Sequence, residues 1–169
     1  MSDAIIVFYS RADENYVSGQ LKILPKGNTE AAAEIIQRLT GADMFRIEQA
    51  VPYSKGYNEC IEQARSDQNR NARPKLRSFP ESLDNYSTVY LGFPNYWGTM
   101  PMAVFTFLEH FDMSGKNIRP FCTHEGSGLG SSVRDIIRIC PDAKVGKGLA
   151  VRGSCADRAE KEIEKWIKE

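Results

Sequence analysis

The feature that most constrains this chain is a repeated exchange between two hydrophobic periods. Ala4 to Tyr9 (AIIVFY) is a continuous apolar run of strand length. Asn28 to Leu39 (NTEAAAEIIQRL) then spaces its apolar residues as a helix, with Asn28 or Thr29 placed to cap it. Asp43 to Glu48 (DMFRIE) alternates like a half-exposed strand at or near a sheet edge, and Tyr57 to Asn69 reads as a helix. Strand Thr88 to Phe93, helix Met102 to His110, strand Asn117 to Cys122, helix Ser131 to Ile139, strand Lys144 to Val151 and helix Ala156 to Ile167 follow. Five βα units with near-continuous apolar strands predict an α/β fold: a parallel sheet with helices on both faces, because crossover connections lay helices against the sheet.

With 169 residues and 41% apolar content, the chain can bury one good core, so a single domain over 1–169 is expected. Lys plus Arg (22) equals Asp plus Glu (22), a balance that calls for neither nucleic acid nor a membrane surface. Cys60, Cys122, Cys140 and Cys155 form no CxxC pattern, and His110 and His124 are the two histidines, so no metal site and no disulfide is expected. The cysteines read as packing residues. Asp3 stands where an export signal would be basic, and the following apolar run is too short for export, which predicts a cytoplasmic protein. The uncharged window Asn85 to Leu108 is long enough to cross a bilayer. Its two prolines, two glycines and two asparagines make it a strand, a loop and a helix instead.

In a parallel sheet of this kind every βα turn emerges at the carboxyl edge, where doubly wound folds bind ligands. Three turns are unusual. The first runs from Ser10 to Thr29 and is far longer than an ordinary βα connection; Tyr16 to Leu21 inside it predicts a hairpin about Ser18-Gly19. Its end, Gly27-Asn28-Thr29, opens a helix whose unpaired N–H groups suit a phosphate, or simply an ordinary N-cap. The second turn, Pro94 to Pro101, places Tyr96 and Trp97 beside Gly98, so that the rings either stack on a planar heterocycle or cap the core. The third, Thr123 to Ser132 (THEGSGLGSS), exposes many N–H groups and carries His124 and Glu125. Its glycines are not spaced as a dinucleotide fingerprint, and they either meet the polar edge of a ring or only shape the turn.

Taken in order, Tyr9-Ser10, Gly27-Asn28-Thr29, Pro94-Asn95-Tyr96-Trp97-Gly98 and Cys122-Thr123-His124-Glu125-Gly126-Ser127-Gly128 resemble a flavodoxin-family protein along essentially the whole chain. The resemblance implies a flavodoxin-like three-layer sandwich with a five-stranded parallel sheet in order 2-1-3-4-5, and noncovalent FMN at the carboxyl ends of the strands. It assigns Ser10, Arg11, Gly27, Asn28 and Thr29 to the phosphate region. It assigns Pro94, Asn95, Tyr96, Trp97 and Gly98 to the isoalloxazine, with Tyr96 or Trp97 stacking. Thr123, His124, Glu125, Gly126, Ser127 and Gly128 fall to its pyrimidine edge. The compact phosphate loop of the family is interrupted here by residues 11–26.

Two functional classes follow from the resemblance. The first is an electron carrier between redox partner proteins. The second is an NAD(P)H-dependent reductase of quinones or nitroaromatics, with the insertion forming a pocket and His124 or Tyr96 donating a proton. A flavin-free binding module on the same scaffold is the third reading. Within the flavin readings, a flip of the Trp97–Gly98 peptide would meet flavin N5, and a cationic His124 would favour the anionic reduced flavin. A receiver domain is excluded by the absence of acidic residues at the end of IIVFYS, and a low-molecular-weight phosphatase by Gly128 standing six positions after Cys122. The basic stretch Arg65 to Arg77 is a solvated helix end and loop, or else a docking patch for a partner or a cofactor's extra phosphate. The oligomeric state is left open.

Overall fold

The computed structural model describes residues 2–169. Its centre is β1 (Ala4–Phe8), paired with a strand along each edge and, from Ile5 to Phe8, buried on both faces by helices. Ile5, Val7 and Tyr9 face one helical layer, and Ile6 and Phe8 face the other. The second layer is α1 (Asn28–Thr40) and α5 (Glu160–Lys168), which bring Ala32, Ala33, Ile35, Ile36, Ile163 and Trp166 onto that face. On the first side lies α3 (Met102–His110), apolar almost all round and correspondingly buried, beside α4 (Ser132–Ile139) and α2 (Tyr57–Asn69).

The main sheet is parallel, ordered β4 (Asp43–Arg46), β1, β5 (Thr88–Pro94), β6 (Asn117–His124), then β7 (Lys144–Val145), with β8 (Leu149–Arg152) also pairing β6. The half-exposed strand β4 is at the edge, as its alternation predicts. The fifth strand, expected unbroken over 144–151, is two short pieces. Three residues of it, 146–148, stand opposite two of β6, Arg119 and Pro120, so the ladder bulges where Pro120 has no N–H to give. The sheet therefore has six strands in five positions, and the flavodoxin-like class of α/β fold holds.

The long first turn contains β2 (Asp13–Val17) and β3 (Gln20–Leu24), an antiparallel hairpin outside the main sheet. Ser18 and Gly19 have φ of 51° and 81°, the paired positive values that a two-residue hairpin turn requires. Two helix starts differ from expectation. Gly27, not Asn28 or Thr29, occupies the N-cap position of α1 and has no side chain to cap it. Ala156, predicted to begin the last helix, lies in a tighter 3-10 turn over Gly153–Arg158, and α5 starts at Glu160. Cys60, Cys122 and Cys140 are buried packing residues, but Cys155 in that turn is exposed. No helix among the described residues is long and apolar enough to cross a membrane.

Candidate functional site

Strand order reverses between β1 and β5, and a cavity of about 530 Å³ opens at their carboxyl ends. Asn28 and Thr29 of α1 are on its wall, with Pro94 to Gly98 from the end of β5 onward and Thr123 to Ser127 from the end of β6 onward. Three turns far apart in sequence thus meet because parallel strands deliver them to one edge.

The phosphate-loop interruption turns out to be an excursion with closed ends. Gly27 lies so close to Ser10 that a Cβ there would come within 2.2 Å of the Ser10 hydroxyl, so residues 10 and 27 are neighbours although sixteen residues separate them in the chain. Ser10 Oγ accepts the Glu30 N–H at 3.0 Å and supplies, from just beyond β1, the cap that Gly27 lacks. Ser10, Gly27 and Gly128 are therefore not on the cavity wall; they shape it from behind. The Thr29 hydroxyl pairs with that of Thr123 at 2.7 Å, so the two share one bond and retain one hydrogen to offer elsewhere. The helix opening, the Asn28 amide and this hydroxyl pair together offer N–H and O–H donors to the cavity.

At the other end, Tyr96 and Thr99 pair their backbones across a two-residue turn in which Trp97 and Gly98 have φ of 53° and 88°. A tryptophan in the left-handed region costs about 1–2 kcal/mol, and its surroundings hold it there. Its indole N–H donates to the Ile61 carbonyl at 2.8 Å, and the Arg65 guanidinium lies 4.6 Å from the ring centroid. The Trp97–Gly98 peptide proposed to flip is tied at both ends, its carbonyl accepting from Gln68 and its N–H donating to Asn95. Asn95 also donates to the Gly128 carbonyl at 2.8 Å, so it braces the second turn against the third. Ser131 donates to the Gly98 carbonyl from its N–H at 2.7 Å and from its hydroxyl. Tyr96 borders the cavity, but its hydroxyl is buried without a partner, and burial raises its pKa.

His124 Nδ1 accepts the Gly126 N–H at 2.9 Å, which leaves the ring proton on Nε2. Burial, and then the nearby Arg152, push its pKa below the ordinary value, so the imidazole is neutral at pH 7. Arg152 is a cationic side chain beside this turn. Glu125 holds one carboxylate oxygen buried and unpartnered; the other accepts the Ser18 N–H at the hairpin tip at 3.4 Å and lies 3.9 Å from Arg152.

The hairpin, α2 and the start of the 3-10 turn contribute what the sequence did not mark as site. Asn15, Tyr16, Tyr57, Cys60, Ile61, Ala64 and Gly153 all line the cavity, as does the expected Arg11. Cys60, Ile61 and Ala64 share one helical face, a spacing visible in sequence, but the direction of that face is set by packing. The basic stretch is largely neutralised: Arg70 pairs with Asp67, Arg73 with Glu109 and Arg77 with Glu48. Among the described residues, no group of three His, Cys, Asp or Glu side chains is placed to hold a metal ion.

A doubly wound sheet with a donor-lined helix start and an aromatic turn on its switch-point cleft is the architecture in which open α/β folds take ligands. The flavodoxin family model matches residues 23–169, and the chain belongs to the flavodoxin family. The structure is similar over 98% of its length, and over 95% of the other chain, to a protein of Bacteroides eggerthii DSM 20697 with a provisional flavoprotein assignment (25% identity, TM-score 0.79). A flavoprotein of Lactobacillus acidophilus NCFM in complex with FMN matches over 97% of both chains, with 17% identity and a TM-score of 0.67. No curated protein matches this chain significantly.

Proposed function

We propose that this protein binds FMN without a covalent bond and transfers electrons through it. The observation that carries the reading is the single cavity of about 530 Å³ joining the open first turn of α1 to the Tyr96–Trp97 turn, a volume ordinary for small-ligand sites. Its two ends differ as the two ends of FMN do. The Asn28 amide, the α1 N-terminus and the Thr29–Thr123 hydroxyl pair would hold the phosphate. Trp97, kept in a strained backbone conformation by Ile61 and Arg65, would present its ring to the isoalloxazine, and the third turn would meet the polar ring edge. The bound flavin supplies one- and two-electron redox chemistry. The protein's part is to orient it, exclude water and offer the Nε2–H of neutral His124 as a donor.

Titration of purified apoprotein with FMN, followed by quenching of flavin fluorescence and by the visible spectrum, tests this. One equivalent should bind saturably, and riboflavin, which lacks the phosphate, should bind more weakly. Saturating FMN that leaves both signals unchanged overturns the reading.

A further inference from the structure

The cofactor reading leaves a buried carboxylate oxygen of the cavity wall unused. Glu125 Oε2 is occupied, accepting the Ser18 N–H at 3.4 Å and lying 3.9 Å from Arg152, while Oε1 is buried without a partner. Beside Oε1 is a gap that only a glycine leaves. A Cβ on Gly153, the first residue after β8, would come within 2.9 Å of Glu125 Oε1 and within 2.5 Å of Asn28 Nδ2. Gly153 is not among the glycines with positive φ, so its backbone does not demand glycine; the space beside the two side chains does. Asn28, Glu125 and Gly153 all line the cavity.

The chemistry of this pair specifies what sits against it. The Asn28 amide nitrogen only donates, and a carboxylate oxygen only accepts. A phosphate oxygen would satisfy Asn28 and be repelled by Glu125. An ammonium group would satisfy Glu125 and turn its own N–H bonds toward those of Asn28. A hydroxyl group meets both, because it accepts through a lone pair and donates its hydrogen. Leaving a buried acceptor unmade is costly, so a ligand that supplies the donor recovers that cost on binding. We propose that Asn28 and Glu125, kept open by Gly153, read a hydroxyl group on the chain joining the flat ring to the phosphate, so that the site selects a polyol linker as well as its two ends. This rests on the FMN reading above, and it assigns Glu125 to the linker while the rest of the third turn keeps the ring edge. The two N–H bonds of the Asn28 amide let it serve the hydroxyl and the phosphate together.

The test titrates apoprotein with FMN and, side by side, with a flavin phosphate whose N10 chain keeps the same length and terminal phosphate but carries no hydroxyl groups. The wild type should bind FMN about tenfold more tightly than the analogue, the effect of one hydrogen bond to a charged group. Glu125→Gln has a single acceptor oxygen to divide between Ser18 and the ligand. It should lose about tenfold in FMN affinity and bind the hydroxyl-free analogue as the wild type does. If Glu125→Gln disturbs the hairpin tip, Gly153→Ala should abolish the same preference from the other side by filling the gap. A merely structural role would weaken both ligands alike, so an equal loss for the two ligands in both variants overturns the proposal. A preference that survives undiminished in both variants overturns it too. Wild-type protein that binds the two flavins equally leaves the pair to water and overturns this inference alone, whereas failure to bind FMN at all overturns the cofactor reading and this one together.

Discussion

The indole N–H of Trp97 donates to the main-chain carbonyl of Ile61 at 2.8 Å, and this bond fastens the turn after β5 to the second turn of α2. With Arg65 over one ring face, the indole is held in place before any ligand arrives, although it is 45% exposed. A side chain ordered in advance loses less entropy on stacking.

Trp97→Ala should therefore weaken FMN binding by about 10- to 100-fold, the range of one base–aromatic stack, as read by fluorescence titration. Arg65→Ala should weaken it less and should shift the tryptophan emission, because the ring loses its outer cover.

Gly130 sits against the second turn so closely that a Cβ would come within 2.1 Å of the Gly98 carbonyl oxygen, at a φ of +56°. Gly128 has φ of +64° but open space around it. Gly130→Ala should cost about 3 kcal/mol, from the left-handed backbone plus displacement of a neighbouring chain, and Gly128→Ala about 1 kcal/mol. Chemical denaturation of the two variants side by side measures the difference.

The folded-state pKa of His124 lies below its ordinary value of 6.5, chiefly through burial and then Arg152, with Glu125 and Glu162 opposing. The folded state binds the proton less readily than the unfolded chain does. Stability is then fully present above about pH 6.5 and declines as pH falls toward the lowered value. Protonation also removes the acceptor of the Gly126 N–H. Melting temperature against pH should show this decline in the wild type and a flatter profile in His124→Gln.

Glu125 keeps a buried carboxylate oxygen without a partner, and its ion pair with half-exposed Arg152 is long. Glu125→Gln retains an acceptor for the Ser18 N–H while removing a poorly solvated charge. It should stabilise the apoprotein by about 1 kcal/mol in denaturant unfolding. Glu125→Ala, which also frees the hairpin tip, should speed proteolytic cleavage near Ser18.

Much of the fold is written locally. The continuous apolar runs at 4–9 and 88–93 identify interior strands because no polar alternation offers a solvent face. The half-polar run at 43–48 identifies the edge for the same reason. The break in the fifth strand was not legible, since it depends on Pro120 in the neighbouring strand. At the site, Tyr96-Trp97-Gly98 and the glycine-rich third turn stood out by composition. Ser10, by contrast, caps a helix from another element, Asn95 braces two turns, and Tyr57, Cys60, Ile61 and Ala64 carry no motif.

The order of hydrophobic periods alone determined that this chain builds a parallel sheet whose turns gather at one edge, because that pattern leaves strands nowhere else to bury both faces. Only the tertiary structure decided that the insertion folds back as a strap over the cleft. The bond that holds its tip joins Ser18 to Glu125 across 107 positions of sequence, and the one that holds its base joins Glu14 to Tyr57 across 43. Neither partner has a local pattern that names the other; their meeting is set by how far each strand carries its turn.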